Sequence, residues 1–142
     1  MTDASPSQSA SQPPLDPAFV VIEPLRESMA MEFARLDRDG IDATWTVTPA
    51  THQPYGLLHG GVHSLVNEGL CSLAAALWLG EAGRVVGVNN NTDFYRGVTE
   101  GRLTSTTRPV HRGRSQQVWA VETTDADGRL VARGQVRLQN LT

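Results

Sequence analysis

Cysteine is almost absent: Cys71 is the one cysteine in 142 residues. That excludes an internal disulfide and points to a reducing, cytoplasmic setting. Cys71 falls inside an apolar helical run, where a thiol behaves as a small packing group. Charge of one sign is also scarce. A formal net charge of -3 supplies no bulk attraction to nucleic acid or to an anionic membrane, so neither is expected as a partner. No apolar run approaches the length expected of a membrane span. The first fourteen residues are rich in Ser, Gln, Pro and Ala and hold no basic residue, so a secretory signal is not expected there. No glycine-rich loop joins a strand to a helix in the manner of a nucleotide-binding site. His52, His59, His63 and His111 have no zinc-type spacing, and no metal or cofactor is expected.

What is present is one domain. Residues 1–15 read as a flexible tail and 16–142 as the folded part. A short helix is expected within 16–29, with Asp16 as cap and Pro17 in the first turn. Residues 31–36 and 41–47 flank Asp37-Arg38-Asp39-Gly40 as a hairpin. Ile41, Ala43, Trp45 and Val47 alternate onto one face, and Pro49 ends the second strand. Over 62–79 the period becomes helical: Val62, Leu65, Val66, Gly69, Leu70, Leu73 and Leu77 recur at helix spacing, and Gly80 and Gly83 close the run. Four strand-like stretches follow, at 84–95, 102–110, 115–124 and 130–141, and short separators predict a four-strand antiparallel meander. The apolar helix is the obvious cover for one face of that sheet. The expected class is α+β, an antiparallel sheet wrapped around a long central helix.

The chemistry concentrates near the start of that helix. Gln53-Pro54-Tyr55-Gly56 reads as a loop, followed by His59-Gly60-Gly61. Glycines at a helix N-terminus offer bare N–H groups to an oxyanion. Glu68 stands about two turns further along. Gly61, Ser64, Glu68 and Ser72 share one narrow polar stripe, with no Lys or Arg three or four residues from Glu68. A solvent-facing carboxylate is the ordinary reading of a helical Glu. The low charge of the rest of this helix and the glycines beneath the stripe count against that reading without displacing it. His59 is open between a ligand, a base and a hydrogen-bonder that shapes the turn. Trp45, Trp78, Trp119, Phe94 and Tyr95 either wall a pocket or pack in the core. Arg112-Gly113-Arg114-Ser115 is a basic turn, and Arg96 and Arg108 lie at strand ends. Guanidinium and backbone N–H groups there suit phosphates, although a solvated charged turn is the commoner case.

The stretch QPYGLLHGGVHSLVNEGLCS (53–72), the strand VVGVNNNTDFYRGVTEG and the ending GRLVARGQVRLQ resemble hotdog-fold acyl-CoA thioesterases of the phenylacetic-acid-degradation (PaaI-like) type. They stand near the actinobacterial 4-hydroxybenzoyl-CoA branch. The resemblance covers residues 31–141 and is more specific for fold than for substrate. It implies a hotdog fold and hydrolysis of an acyl-CoA thioester. Gly60 N–H would polarise the carbonyl, and Glu68 would act as nucleophile or general base. Gln53 and His59 match loop positions at the carbonyl end of the site. Ser72 matches a hydroxyl position one turn past the carboxylate, where the family usually has Thr. Gly61 and Tyr95 belong with the substrate-binding set. Arg96 and the turn of Arg112, Gly113, Arg114 and Ser115 match places that hold the nucleotide of coenzyme A, with Arg114 standing where a small hydroxyl residue is usual. The resemblance also implies a site between two subunits, with Asn90 supplied by the other chain, and self-association into dimers and tetramers. The Asn89-Asn90-Asn91 run is unusually polar for a central strand. Two other readings of the same fold are a non-catalytic acyl-CoA-binding module and an acyl-thioester hydratase or dehydratase.

Overall fold

The computed structural model describes residues 23–142, so the expected tail and the first part of the 16–29 helix lie outside the described residues. A one-and-a-half-turn helix α1 (Glu23–Ser28) precedes the hairpin β1 (Glu32–Asp37) and β2 (Gly40–Val47). The Asp37 carboxylate accepts the Asp39 N–H at 2.8 Å and fixes the turn between them. Ile41, Ala43, Trp45 and Val47 are all buried, as their alternation predicts. The long helix α2 (Gly60–Leu79) follows, and Gly80 caps it at φ +61°, a conformation that favours glycine. Then come β3 (Arg84–Phe94), β4 (Gly101–Arg112), β5 (Gln116–Thr124) and β6 (Leu130–Leu141).

All six strands form one antiparallel sheet in the order β1-β2-β4-β5-β6-β3. The expected four-strand meander is therefore corrected: β4, β5 and β6 form a meander, while β3 pairs with β6 at the outer edge. α2 delivers the chain to that edge, where Gly83 lies against the Leu141 carbonyl too closely for any side chain. The connection 95–100 then passes β6 and β5 to reach β4. It is pinned by the Tyr95 and Arg96 N–H groups, both donating to Val131 O at 2.8 and 3.2 Å. It is also held by Leu58 N–H on Val98 O at 2.7 Å. The asparagine run thus lies in an edge strand rather than a central one.

α2 packs on the inner face of the sheet, closest to β3 and β6. By length and composition residues Gly60–Ala82 would suffice to cross a membrane, contrary to the sequence expectation, but the helix is the core cover of this sheet. Its buried face is also rotated from the one expected. His63, Val66, Asn67, Leu70, Cys71, Leu73, Ala74 and Ala75 are buried, while Leu77 is exposed. Trp45 and Trp119 are wholly buried core residues. Each ring N–H has a partner, Ser105 Oγ and Gln117 Oε1, both at 2.9 Å.

Candidate active site

The start of α2 is built by its loop. The Gln53 N–H donates to Leu57 O at 2.7 Å, the Gly56 N–H donates to Gln53 O at 2.9 Å, and Gln53 Oε1 accepts the Tyr55 N–H. The His59 N–H donates to Thr51 O at 2.9 Å. His59 is the N-cap: its Nδ1 accepts the Gly61 N–H at 2.8 Å. Of the three roles open for His59, the structure thus shows the turn-shaping one. The expectation of two bare glycine N–H groups is corrected, because the ring occupies that of Gly61. The Gly60 N–H finds no acceptor among the described residues. A Cβ on Gly60 would stand 2.6 Å from the half-exposed Phe94 ring, which would have to move aside.

α2 runs antiparallel to β3, so Gly60 lies beside Phe94, Asn67 beside Thr92, and Ser64 and Glu68 beside Asn90. Gly60 and Glu68 both face this edge strand. Asn90 donates through Nδ2 to Ser64 O at 2.8 Å and to Glu68 Oε2 at 3.3 Å. Both partners are in the same chain as Asn90, so within one chain its amide is bonded to its own helix. The second carboxylate oxygen, Oε1, lies over Gly87, where a Cβ would come within 2.9 Å of it. Glu68 is exposed in the single chain, and Ser72, one turn on, is half-buried with no hydroxyl partner among the described residues.

A register shift shapes this edge. Gly87 pairs with Leu138 but Asn89 with Arg137, leaving Val88 as a bulge. Before the bulge Val85 and Gly87 face the helix; after it Asn90, Thr92 and Phe94 do. The sequence reading missed Gly87, Asn67 and Thr92, and also His63. His63 is buried, stacked on Phe94 at 5.9 Å and edge-on to Trp45 at 5.7 Å, with its Nδ1 unpartnered. Burial pushes its pKa down to about 4, which keeps the ring neutral at physiological pH. Two polar residues one turn apart, His63 and Asn67, on an otherwise apolar face were the available signal.

The basic residues do not form one cluster. Tyr95 and Arg96 are exposed just past Phe94, at the end of the sheet near the α2 N-terminus. The turn of Gly113, Arg114 and Ser115 lies at the opposite end, a strand length away, roughly 30 Å by strand rise. That turn is held by Asn140, whose Nδ2 donates to Gly113 O and Arg114 O at 3.0 and 3.1 Å and whose N–H donates to Ser115 O at 2.8 Å. Arg112 is already engaged. Its guanidinium pairs with Asp39 at 2.8 Å and lies over the rings of Trp78 and Trp119, 5.6 and 5.8 Å from their centroids. Cys71 is buried, and burial, aided by the Glu68 charge, pushes its thiol up and keeps it protonated. Among the described residues no group of His, Cys, Asp and Glu is placed to hold a metal ion.

The family described as the Thioesterase superfamily matches residues 55–132. Rv1847 of Mycobacterium tuberculosis is 48% identical over 124 residues, covering 85% of this chain and 89% of that protein. Its structure superposes with a TM-score of 0.79. The crystal structure of AziG from S. sahachiroi has the same TM-score, 0.79, at 57% identity, covering 83% of this chain and 96% of that one. The 1,4-dihydroxy-2-naphthoyl-CoA hydrolase of Escherichia coli is 37% identical over 100 residues, covering 70% of this chain and 74% of its own length. A six-strand antiparallel sheet around one long helix is the hotdog architecture of these structures.

Proposed function

Because the chain belongs to the thioesterase superfamily, we propose that it hydrolyses an acyl-CoA thioester to the free acid and coenzyme A. One observation carries the reading: the unpartnered Gly60 N–H and the Glu68 carboxylate stand on the same side of α2, against one edge strand. We assign the two halves of acyl transfer to these groups, which lie about 12 Å apart along one helix and so serve one thioester as members of two paired chains. The Gly60 N–H, at the positive end of the helix, stabilises negative charge as it develops on the thioester carbonyl oxygen. Glu68 either takes a proton from the water that attacks the carbonyl carbon, or attacks it directly to form a mixed anhydride that water then hydrolyses to the free acid and Glu68; in both the coenzyme A thiolate leaves and takes up a proton. Gln53 and His59 hold the loop and cap that aim Gly60. Ser72 sets a hydroxyl one turn from the carboxylate. Within the superfamily we place the chain nearest the PaaI-like type, on the Gln53, His59, Gly60, Glu68 pattern. The naming of a relative as an acyl-CoA hydrolase supports the choice of coenzyme A. The exposed Tyr95, Arg96 and Arg114 are our candidates for its nucleotide, the chain acts as a dimer or tetramer, and its setting is cytoplasmic.

Thiol release from a panel of acyl-CoAs tests this. Glu68→Gln, which keeps the size and the Asn90 contact, is expected to fold normally and to lose on the order of a hundredfold or more in kcat. Hydrolysis by Glu68→Gln at the wild-type rate overturns the assigned role. No thiol release from any acyl-CoA, with tight binding retained, favours the binding-module reading instead.

A further inference from the structure

The edge strand carries more polar chemistry than its packing requires. Asn67, on the buried face of α2, is 1% exposed and donates through Nδ2 to Thr92 Oγ1 at 3.1 Å. Thr92 donates in turn to Asn90 Oδ1 at 2.8 Å. With its oxygen occupied, the Asn90 amide has one orientation left, with Nδ2 toward Ser64 O and Glu68 Oε2. The Ser64 carbonyl is, by helix geometry, also the acceptor of Glu68's own N–H. Asn90 therefore grips both the helical turn that carries Glu68 and the carboxylate itself.

This arrangement is maintained against local cost. Asn67 Oδ1 is buried with no partner among the described residues, a penalty that an apolar residue would avoid. Gly134 of β6 must lack a side chain, because a Cβ there would collide with Asn67 Nδ2 and stand 2.8 Å from Thr92 Oγ1. The Val88 bulge brings Asn90 and Thr92 round to the helix; with Val88 paired in unbroken alternation, Asn89 and Asn91 would occupy that face. A local rule broken in three places around one carboxylate marks a functional device.

We propose that Asn67, Thr92 and Asn90 form a hydrogen-bonded relay of positioning residues that holds Glu68 Oε2 in place and leaves Oε1, over the bare backbone of Gly87, to act on the substrate. The proposal rests on the reading of Glu68 given above. Thr92 does not touch Glu68. Its effect passes through the Asn90 amide, which loses its fixed orientation when the hydroxyl is removed. The effect belongs to kcat and not to KM, since the relay aims a reacting group and binds no part of the substrate.

The test is steady-state thiol release with thermal melts on each variant. Thr92→Val, nearly isosteric and suited to a strand, is expected to lose about three- to tenfold in kcat with KM unchanged. Thr92→Ser keeps the hydroxyl and is expected to regain most of that loss. Asn90→Ala removes a hydrogen bond to a charged group and is expected to lose on the order of tenfold or more. The double variant Asn90→Ala/Thr92→Val is expected to be no slower than Asn90→Ala, because both act through one amide. Wild-type kcat in Thr92→Val or in Asn90→Ala overturns the relay, as do losses that multiply in the double variant or a serine variant no faster than the valine. If the valine variant melts early, Asn90→Ala, at a half-buried edge position, decides alone. Glu68→Gln in the same assay separates the two levels. Full activity there removes the role of Glu68, whereas an inactive Glu68→Gln beside unimpaired Thr92→Val and Asn90→Ala removes the relay alone.

Discussion

The backbone of Gly60 lies under the half-exposed ring of Phe94, and a Cβ would meet ring carbons at 2.6 and 2.7 Å where the ring now stands. An aromatic ring thus covers the helix end that carries the proposed oxyanion donor. Helix propensity alone favours Ala over Gly by about 1 kcal/mol, so a loss of stability in Gly60→Ala reports the contact. The expected loss is about 1–3 kcal/mol, the usual cost of overpacking, together with a fall in kcat as the N–H is pushed out of line. Phe94→Leu in the same chain is expected to restore the melting temperature. A Gly60→Ala protein as stable and active as wild type would show that the ring yields freely.

His63 gives a pH dependence with a defined sign. Its folded pKa is lowered from 6.5 to about 4 by burial. Between those values the unfolded chain binds a proton that the native chain refuses. Stability is therefore complete above about pH 6.5 and falls as the pH drops toward 4. The loss approaches about 3 kcal/mol from this group alone. Denaturant melts at stepped pH check it against His63→Phe, which keeps a ring between Trp45 and Phe94. The variant is expected to lose less stability than wild type across that window. Parallel curves would mean that the native His63 takes up its proton normally.

The two edges of the sheet differ in a way that predicts assembly. β1 carries Glu32, Arg35 and Asp37, and the last two are hydrogen-bonded to each other at 2.7 Å, so that edge is charged and poorly suited to pairing. β3 leaves Val86 and Val88 exposed, at 43% and 48%, beside the proposed site. The expected association runs through β3. Light scattering at micromolar concentration is expected to give a dimer or tetramer, and Val86→Lys is expected to lower both the mass and the activity. A wild-type monomer would place the whole site within one chain.

Local pattern made part of this molecule legible and left the rest hidden. The alternation of Ile41, Ala43, Trp45 and Val47 and the helical recurrence through α2 are short-range, and both elements stand where periodicity puts them. The Gly60–Glu68 spacing likewise survives as a shared face. The place of β3 depends on a partner strand whose paired residues lie from 38 (Phe94 with Ala132) to 57 (Arg84 with Leu141) positions away in sequence, and no local period encodes that pairing. A single bulged residue, Val88, reverses which asparagines face the helix, so Asn90 and Thr92 were not separable from Asn89 and Asn91 by pattern. Arg112 looked like a phosphate ligand because its turn is basic, and the aromatic rings and Asp39 that occupy it arrive from three other elements.

That engagement of Arg112 sorts the arginines by experiment. Arg112 stacks over Trp78 and Trp119 and pairs with Asp39, so Arg112→Ala removes packing as well as charge. The expected result is a stability loss of about 1–2 kcal/mol, discounted for the exposure of Asp39, with KM unchanged for every substrate. Arg96 differs. It is exposed at the Gly60 end of the site, and its side chain has no partner among the described residues. If it meets the phosphates of coenzyme A, the contact is far from the scissile bond and equal in ground and transition states. Arg96→Ala is then expected to raise KM for an acyl-CoA several-fold with kcat nearly unchanged. The effect is expected to shrink at high salt, because exposed charges are screened. A pantetheine thioester, which lacks the nucleotide, is expected to show no difference between wild type and Arg96→Ala. Arg114→Ala, at the other end of the sheet, repeats the comparison and reports whether that turn also reaches the nucleotide. Equal losses on both substrates in Arg96→Ala would mean that the side chain supports the site itself and that the nucleotide is held elsewhere.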